Sequence, residues 1–223
     1  MTLKSAFHAI IKFISGVILI GMLIFLPAGT FDFPNGWLLV ELLFIPMSLA
    51  GIVMMIKNPS LLQKRLNVKE KDKEQDAVVK LSGLMFLSGF IVAGLDFRFG
   101  WSELSKTVII CASALFIISY ILYAEVLREN TYLSRIIEVQ ENQKVIDSGL
   151  YGIVRHPMYT ATLILFLSMP LVLGSLYSFI IFLAYPFIIA KRIKNEEKLL
   201  ENELEGYKEY KTKVKYRLIP FIW

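Results

Sequence analysis

Two short stretches hold the residues best suited to chemistry. In "GLYGIVRHPMY", residues 149–159, Arg155, His156 and Tyr159 surround Pro157 just ahead of a long apolar run. In "KRIKNEEKLL", residues 191–200, Arg192 and Glu196 stand four apart just after an apolar run, with Glu197 beside them. Structure alone explains part of this. Pro157 suits the first turn of a helix, where its missing N–H costs nothing, and Arg155 and Tyr159 suit a membrane boundary. That account leaves His156 unexplained, and polar groups at membrane depth are functional candidates by default because they are costly there. Arg192 and Glu196 share one helix face, and a surface ion pair would account for them. Leu199, Leu200 and Leu204, however, give the segment an apolar stripe with which to fold back over the mouth of a bundle, as a lid carrying carboxylates. Carboxylates and tyrosine faces suit a cationic ligand, while a planar guanidinium suits a carboxylate.

The elements that must position these residues are membrane helices. The 223 residues are 56% hydrophobic, and the apolar ones come in blocks near the length that crosses a ~30 Å hydrocarbon layer. Mean hydropathy is +0.58, which argues against a water-soluble globule. The blocks run from Phe7 to Leu26, Gly36 to Ile56, Val78 to Leu95 and Thr107 to Val126. The first could be taken for a secretory signal, but its apolar core, Phe13 to Leu26, is followed by no A-x-A-like site, so a retained helix is expected. The last tract, Met158 to Ala190, would measure about 50 Å as one helix, and so reads as a short hairpin of two slightly short arms turning at Gly174 and Ser175, with Pro170 and Pro186 interrupting them. The expected fold is all-α: a polytopic bundle of about six transmembrane helices with a cytoplasmic C-terminal helical lid.

Charge orients this bundle. Lys4 and Lys12, the stretch from Lys57 to Lys80, that from Arg128 to Arg155, and the tail from Lys191 to Arg217 fall on one side. The other side holds only Arg98 and Lys106. The positive-inside rule then makes both termini cytoplasmic, in a multi-pass protein of the cell membrane. The net charge of +5 resides in these loops and forms no nucleic-acid motif, so no nucleic acid is expected as a partner. The mixed-charge connector 57–77 reads as a solvated, partly helical linker. Cys111 is the sole cysteine, which excludes a disulfide framework and a thiolate metal cluster; no metal is expected, and Cys111 reads as a small packing residue. No repeat or low-complexity tract marks a second domain, so residues 1–126 and 127–223 are read as two regions of one domain.

The stretch "ENTYLSRIIEVQENQKVIDSGLYGIVRHPMY" and the later "RIKNEEKLL…YKEYKTKV…IPF" together resemble the isoprenylcysteine carboxyl methyltransferases, over roughly residues 130–222. The resemblance rests on two ordered patterns, G-x-Y-x-x-x-R-H-P-x-Y and R-I-x-x-E-E-x-x-L with a following Y-x-x-Y; the first four helices carry no motif. It implies that S-adenosyl-L-methionine is bound between the RHP region and the helix after the hairpin, capped by the C-terminal segment. Gln140 is similar to the family's loop glutamine. Gln143, Lys144, Val145 and Ile146 occupy the stretch whose backbone holds the cofactor, and Tyr151 matches its aromatic. His156, Pro157, Met158 and Tyr159 fall on the cofactor-contacting run, Glu196 on the cofactor-binding acid, and Arg192 on the arginine that orients the substrate. One departure is the spacing from Glu196 to Tyr207, a residue shorter than usual, with Glu205 and Gly206 where Gly and an acid are expected.

The implied activity is methyl transfer to a lipid or lipidated acceptor entering from the bilayer, with no obligate protein partner. The acceptor stays open among a prenylated cysteine carboxylate, a phospholipid amine and a hydrophobic thiol. An ionised carboxylate needs positioning rather than a base, whereas no dedicated base for an amine is evident. Two other classes stand beside this reading: a membrane sterol-type reductase using a reduced nicotinamide, and a non-catalytic membrane adaptor.

Overall fold

A computed structural model describes residues 3–59, 62, 73–133 and 137–223. Its helices are α1 (Leu3–Ala28), α2 (Pro34–Lys57), α3 (Lys73–Phe99), α4 (Lys106–Glu129), α5 (Pro157–Val172), α6 (Leu176–Phe182), α7 (Tyr185–Glu203) and α8 (Tyr207–Lys213), with a 3-10 turn at Gly149–Gly152. Much of the connector expected over 57–77 lies outside the described residues.

Among the described residues, five stretches are long and apolar enough to cross a membrane: Ala9–Ala28, Pro34–Lys57, Asp76–Phe99, Lys106–Glu129 and Leu176–Glu203. The protein is a multi-pass helical membrane protein. The sixth expected span is α5, whose 16 residues reach only about 24 Å. Its partner arm, also expected to be slightly short, is not, because α6 and α7 run on from Leu176 to Glu203. The hairpin turns where expected. Gly174 has φ +80°, a conformation that costs glycine little, and Ser175 caps α6 by accepting a hydrogen bond from the Ser178 N–H at 3.0 Å. Pro170 lies within α5 and does not end it, whereas Pro186 sits in the first turn of α7, where the missing N–H is harmless.

Packing joins the two regions of the chain. The most extensive helix pair is α4 against α5, followed by α1 against α3 and α3 against α6. On α3, Gly94 lets the α1 backbone come close, since a Cβ there would stand 2.5 Å from the Ile24 carbonyl oxygen. Tyr120 on α4 donates a hydrogen bond to the Leu43 carbonyl of α2 at 2.7 Å. Phe86 meets Phe166 and Phe182 edge-on, at 4.7 and 5.3 Å between ring centroids. Away from these contacts, Ile10, Ile14, Ile18, Ile52, Ile110 and Ile121 are exposed, as expected of helices whose solvent is hydrocarbon. Cys111 is also exposed on α4 rather than serving as core packing.

At the end of the bundle where the hairpin turns, the buried Asp96 carboxylate ties α3 to that turn. It accepts hydrogen bonds from the Ser102 N–H (2.7 Å), the Ser102 hydroxyl (2.5 Å) and the Ser175 hydroxyl. The Ser102 oxygen in turn accepts from the Leu176 N–H at 3.0 Å. A buried carboxylate so fully paired is tolerable in a low-dielectric setting.

Candidate functional site

At the opposite end, the segment before α5 and the end of α7 come together. Pro157 starts α5 as the sequence implies, and the chain just before it pairs with the C-terminal tail: the Arg155 and His156 N–H groups donate to the Tyr216 and Arg217 carbonyls, both at 2.9 Å. Thr160 adds a hydrogen bond to the Leu218 carbonyl at 2.8 Å. Residues 214–218 therefore form a strap bound edge-on to the RHP segment.

The two adjacent acids of α7 point to different tasks, because consecutive helix positions face different directions. Glu197 is 3% exposed and joins three basic side chains. Its Oε1 accepts from Arg155 Nε at 2.7 Å and lies 3.3 Å from His156 Nε2, and its Oε2 accepts from Arg217 Nε at 2.8 Å. Arg155 Nη1 also donates to the Val214 and Lys215 carbonyls, each at 2.7 Å. Glu197 is thus the ionic core that holds the strap to the RHP segment.

Glu196 belongs to a second group. The Tyr159 hydroxyl donates to Glu196 Oε2 at 2.5 Å and accepts from Arg192 Nε at 3.0 Å. Arg192 and Glu196, one turn apart, do share a face of α7, and Tyr159 of α5 bridges them. His156 stacks beside Tyr159, with 5.7 Å between ring centroids.

This second group forms one wall of an open cleft enclosing about 830 Å³, its solvent mouth included. Of the residues singled out in the sequence, Gln143, Lys144, Val145, Ile146, Tyr151, His156, Met158, Tyr159, Arg192 and Glu196 all line it. Two do not. Gln140 spends its side-chain amide on the Tyr132 carbonyl, and its N–H on Gln143 Oε1 at 2.9 Å, so it shapes the loop that carries Gln143. Pro157 begins α5 behind the wall.

The remaining lining was not assigned from sequence. Asn130, Tyr132 and Glu138 contribute from the loop after α4, and Leu200, Leu204, Tyr207 and Tyr210 from the lid. Asn130 holds Tyr151 by donating to its hydroxyl at 2.9 Å. The lid is real as an element: Gly206, at φ +81°, turns the chain from α7 into α8, and Leu204, Tyr207, Tyr210 and Val214 pack together against Val139, Val145 and Leu200. Lys213 fastens its far end to Asp147 at 2.7 Å and holds that carboxyl below its usual range through the hydrogen bond and the charge. The signal that could have found Tyr207 and Tyr210 was the Y-x-x-Y pattern itself, which puts both rings on neighbouring faces of one short helix.

The chemistry of the donor set is specific. Carboxylates (Glu138, Glu196) and tyrosine faces in a partly buried cleft favour a cationic group, and residues 143–146 line the cleft beside them. Arg155, an anion-binding candidate by residue type, has its charge taken up by Glu197 and the strap carbonyls instead.

The model of the isoprenylcysteine carboxyl methyltransferase (ICMT) family matches residues 107–202. A Delta(14)-sterol reductase TM7SF2 of Mus musculus is 30% identical over 90 residues, 39% of this chain and 22% of that protein, so the chain spans about a fifth of the length of this relative. Residues 107–202, which contain both the RHP segment and the paired acids of α7, are thus similar to the isoprenylcysteine carboxyl methyltransferase family.

Proposed function

We propose that the protein is a methyltransferase that takes S-adenosyl-L-methionine from the cytosolic end of the bundle and methylates a lipophilic acceptor arriving from the bilayer. The observation that carries this reading is the Tyr159 hydroxyl bridging Glu196 and Arg192 in the wall of the cleft. It sets an anionic site and a cationic site side by side, one for each reactant.

The donor would supply an electrophilic methyl group on a sulfonium sulfur. Glu196 and the tyrosine faces suit the donor's positive charges, and the 143–146 backbone and His156 suit its polar edges. Arg192 is suited to orient an acceptor carboxylate through its planar fork, and Tyr159, which receives the Arg192 Nε–H, fixes that orientation. A carboxylate is ionised at neutral pH, so alignment supplies the catalysis and no general base is needed. This favours a carboxylate such as that of a prenylcysteine over a phospholipid amine, which would require deprotonation beside a fixed cation. The basic loops and tail support a cytoplasmic location of both termini, and membrane lipids complete the surroundings of the site.

A second reading, a reductase using a nicotinamide dinucleotide, is favoured by the partial likeness to a sterol reductase. Calorimetric titration of the detergent-purified protein with S-adenosylhomocysteine and, separately, with NADPH decides between them. Binding of the former alone is expected; binding of NADPH alone would overturn the methyltransferase reading.

A further inference from the structure

The lid carries two buried tyrosines in different hydrogen-bonding states. Both line the cleft, Tyr207 at 4% exposure and Tyr210 at 5%, with 5.7 Å between their ring centroids. The Tyr210 hydroxyl donates to the Tyr151 carbonyl at 2.7 Å, which anchors α8 to the 3-10 turn. The Tyr207 hydroxyl has no hydrogen-bond partner among the described residues, and it stands alone there among buried side-chain nitrogens and oxygens. Burying a hydroxyl unpaired is unfavourable, and phenylalanine would fill the same volume without that cost. A tyrosine here is therefore uneconomical for packing alone, and its oxygen belongs to a residue that borders the ligand cleft.

We propose that the Tyr207 hydroxyl is a ligand-binding group of the lid, donating a hydrogen bond to an acceptor atom of the nucleoside-type molecule that occupies the cleft. The identity of that molecule as S-adenosylmethionine rests on the reading above; the contact itself rests on the orphaned hydroxyl. Burial, reinforced by the nearby Glu197 and Glu196 carboxylates, pushes this phenol well above its ordinary pKa, so it keeps its proton and remains a donor through the neutral range. Gly206 contributes by turning α8 so that Tyr207 faces inward at the start of the lid.

The test compares Tyr207→Phe and Tyr210→Phe with the parent, in detergent, by thermal unfolding without ligand and by calorimetric titration with S-adenosylhomocysteine and with NADPH. For Tyr207→Phe, an unchanged or raised Tm together with a roughly three- to tenfold weaker affinity for S-adenosylhomocysteine is expected. Tyr210→Phe should instead lower the Tm, since its hydroxyl already has an internal partner. Unaltered affinity in Tyr207→Phe, or a Tm lowered as in Tyr210→Phe, would overturn the proposal. If the parent binds NADPH instead and Tyr207→Phe weakens it, the contact stands and the methyl-donor reading falls. If the parent binds neither nucleotide, both fall.

Discussion

Glu196 and Glu197 differ in nothing but position, yet the fold gives them opposite work. Glu196 faces the cleft with Tyr159, while Glu197 is buried among Arg155, His156 and Arg217. Glu196→Gln keeps shape and removes charge, so it should weaken donor binding by about 1.5–3 kcal/mol and leave the Tm near that of the parent. Glu197→Ala should do the reverse first, lowering stability by about 3–5 kcal/mol because it strands the buried Arg155 guanidinium. Calorimetry and thermal unfolding on both variants check the division; equal loss of stability in the two would refute it. Arg192→Lys should impair transfer to a carboxylate far more than it impairs donor binding, since a point charge cannot replace the planar fork. Following radiolabelled methyl into membrane lipids checks this. Base-labile label released as methanol is expected, and base-stable label in lipid head groups would favour an amine acceptor.

The elements matter because each end of the α5–α7 hairpin is tied down separately. At its turn, Asp96 accepts from Ser102 and Ser175; at its open end, the strap 214–218 pairs with Arg155 and His156. Between them, Ser178 on α6 donates to the Gly89 carbonyl of α3 at 2.8 Å, and the Phe182 ring lies so close that a Cβ on Gly89 would stand 2.3 Å from it. Phe182 is fully buried and has nowhere to go. Gly89→Ala, which in an isolated helix would be favourable by about 1 kcal/mol, should therefore destabilise the protein by about 1–3 kcal/mol. A thermal unfolding midpoint at or above that of the parent would contradict this packing.

For the whole molecule, the cleft and the hairpin turn lie at opposite ends of the bundle, and the distribution of Lys and Arg predicts that the cleft end faces the cytoplasm. Single cysteines replacing Lys57 and Asp32, both exposed, in a Cys111→Ser background report on this directly. With a membrane-impermeant thiol reagent applied to intact cells, position 32 should label and position 57 should label only after lysis. The opposite pattern would invert the orientation and remove the cytosolic route for the donor.

The sequence by itself determined the helical membrane class and the hairpin with its turn at Gly174 and Ser175, and the family resemblance picked out residues that line one wall of the cleft. The first two follow from local properties: apolar runs long enough to cross lipid and a glycine able to turn. The i, i+4 spacing likewise put Arg192 and Glu196 on one face before any contact was known. Only the tertiary structure decided that the second arm is not short, because α6 and α7 run on from Leu176 to Glu203 past the end of the apolar tract. It alone gave Glu197 its role, since which acid is buried depends on where the strap from 214–218 returns. Tyr207 was legible as half of a Y-x-x-Y pattern, but its unpaired hydroxyl was not, because hydrogen bonding in a cleft is settled by groups far apart in the chain.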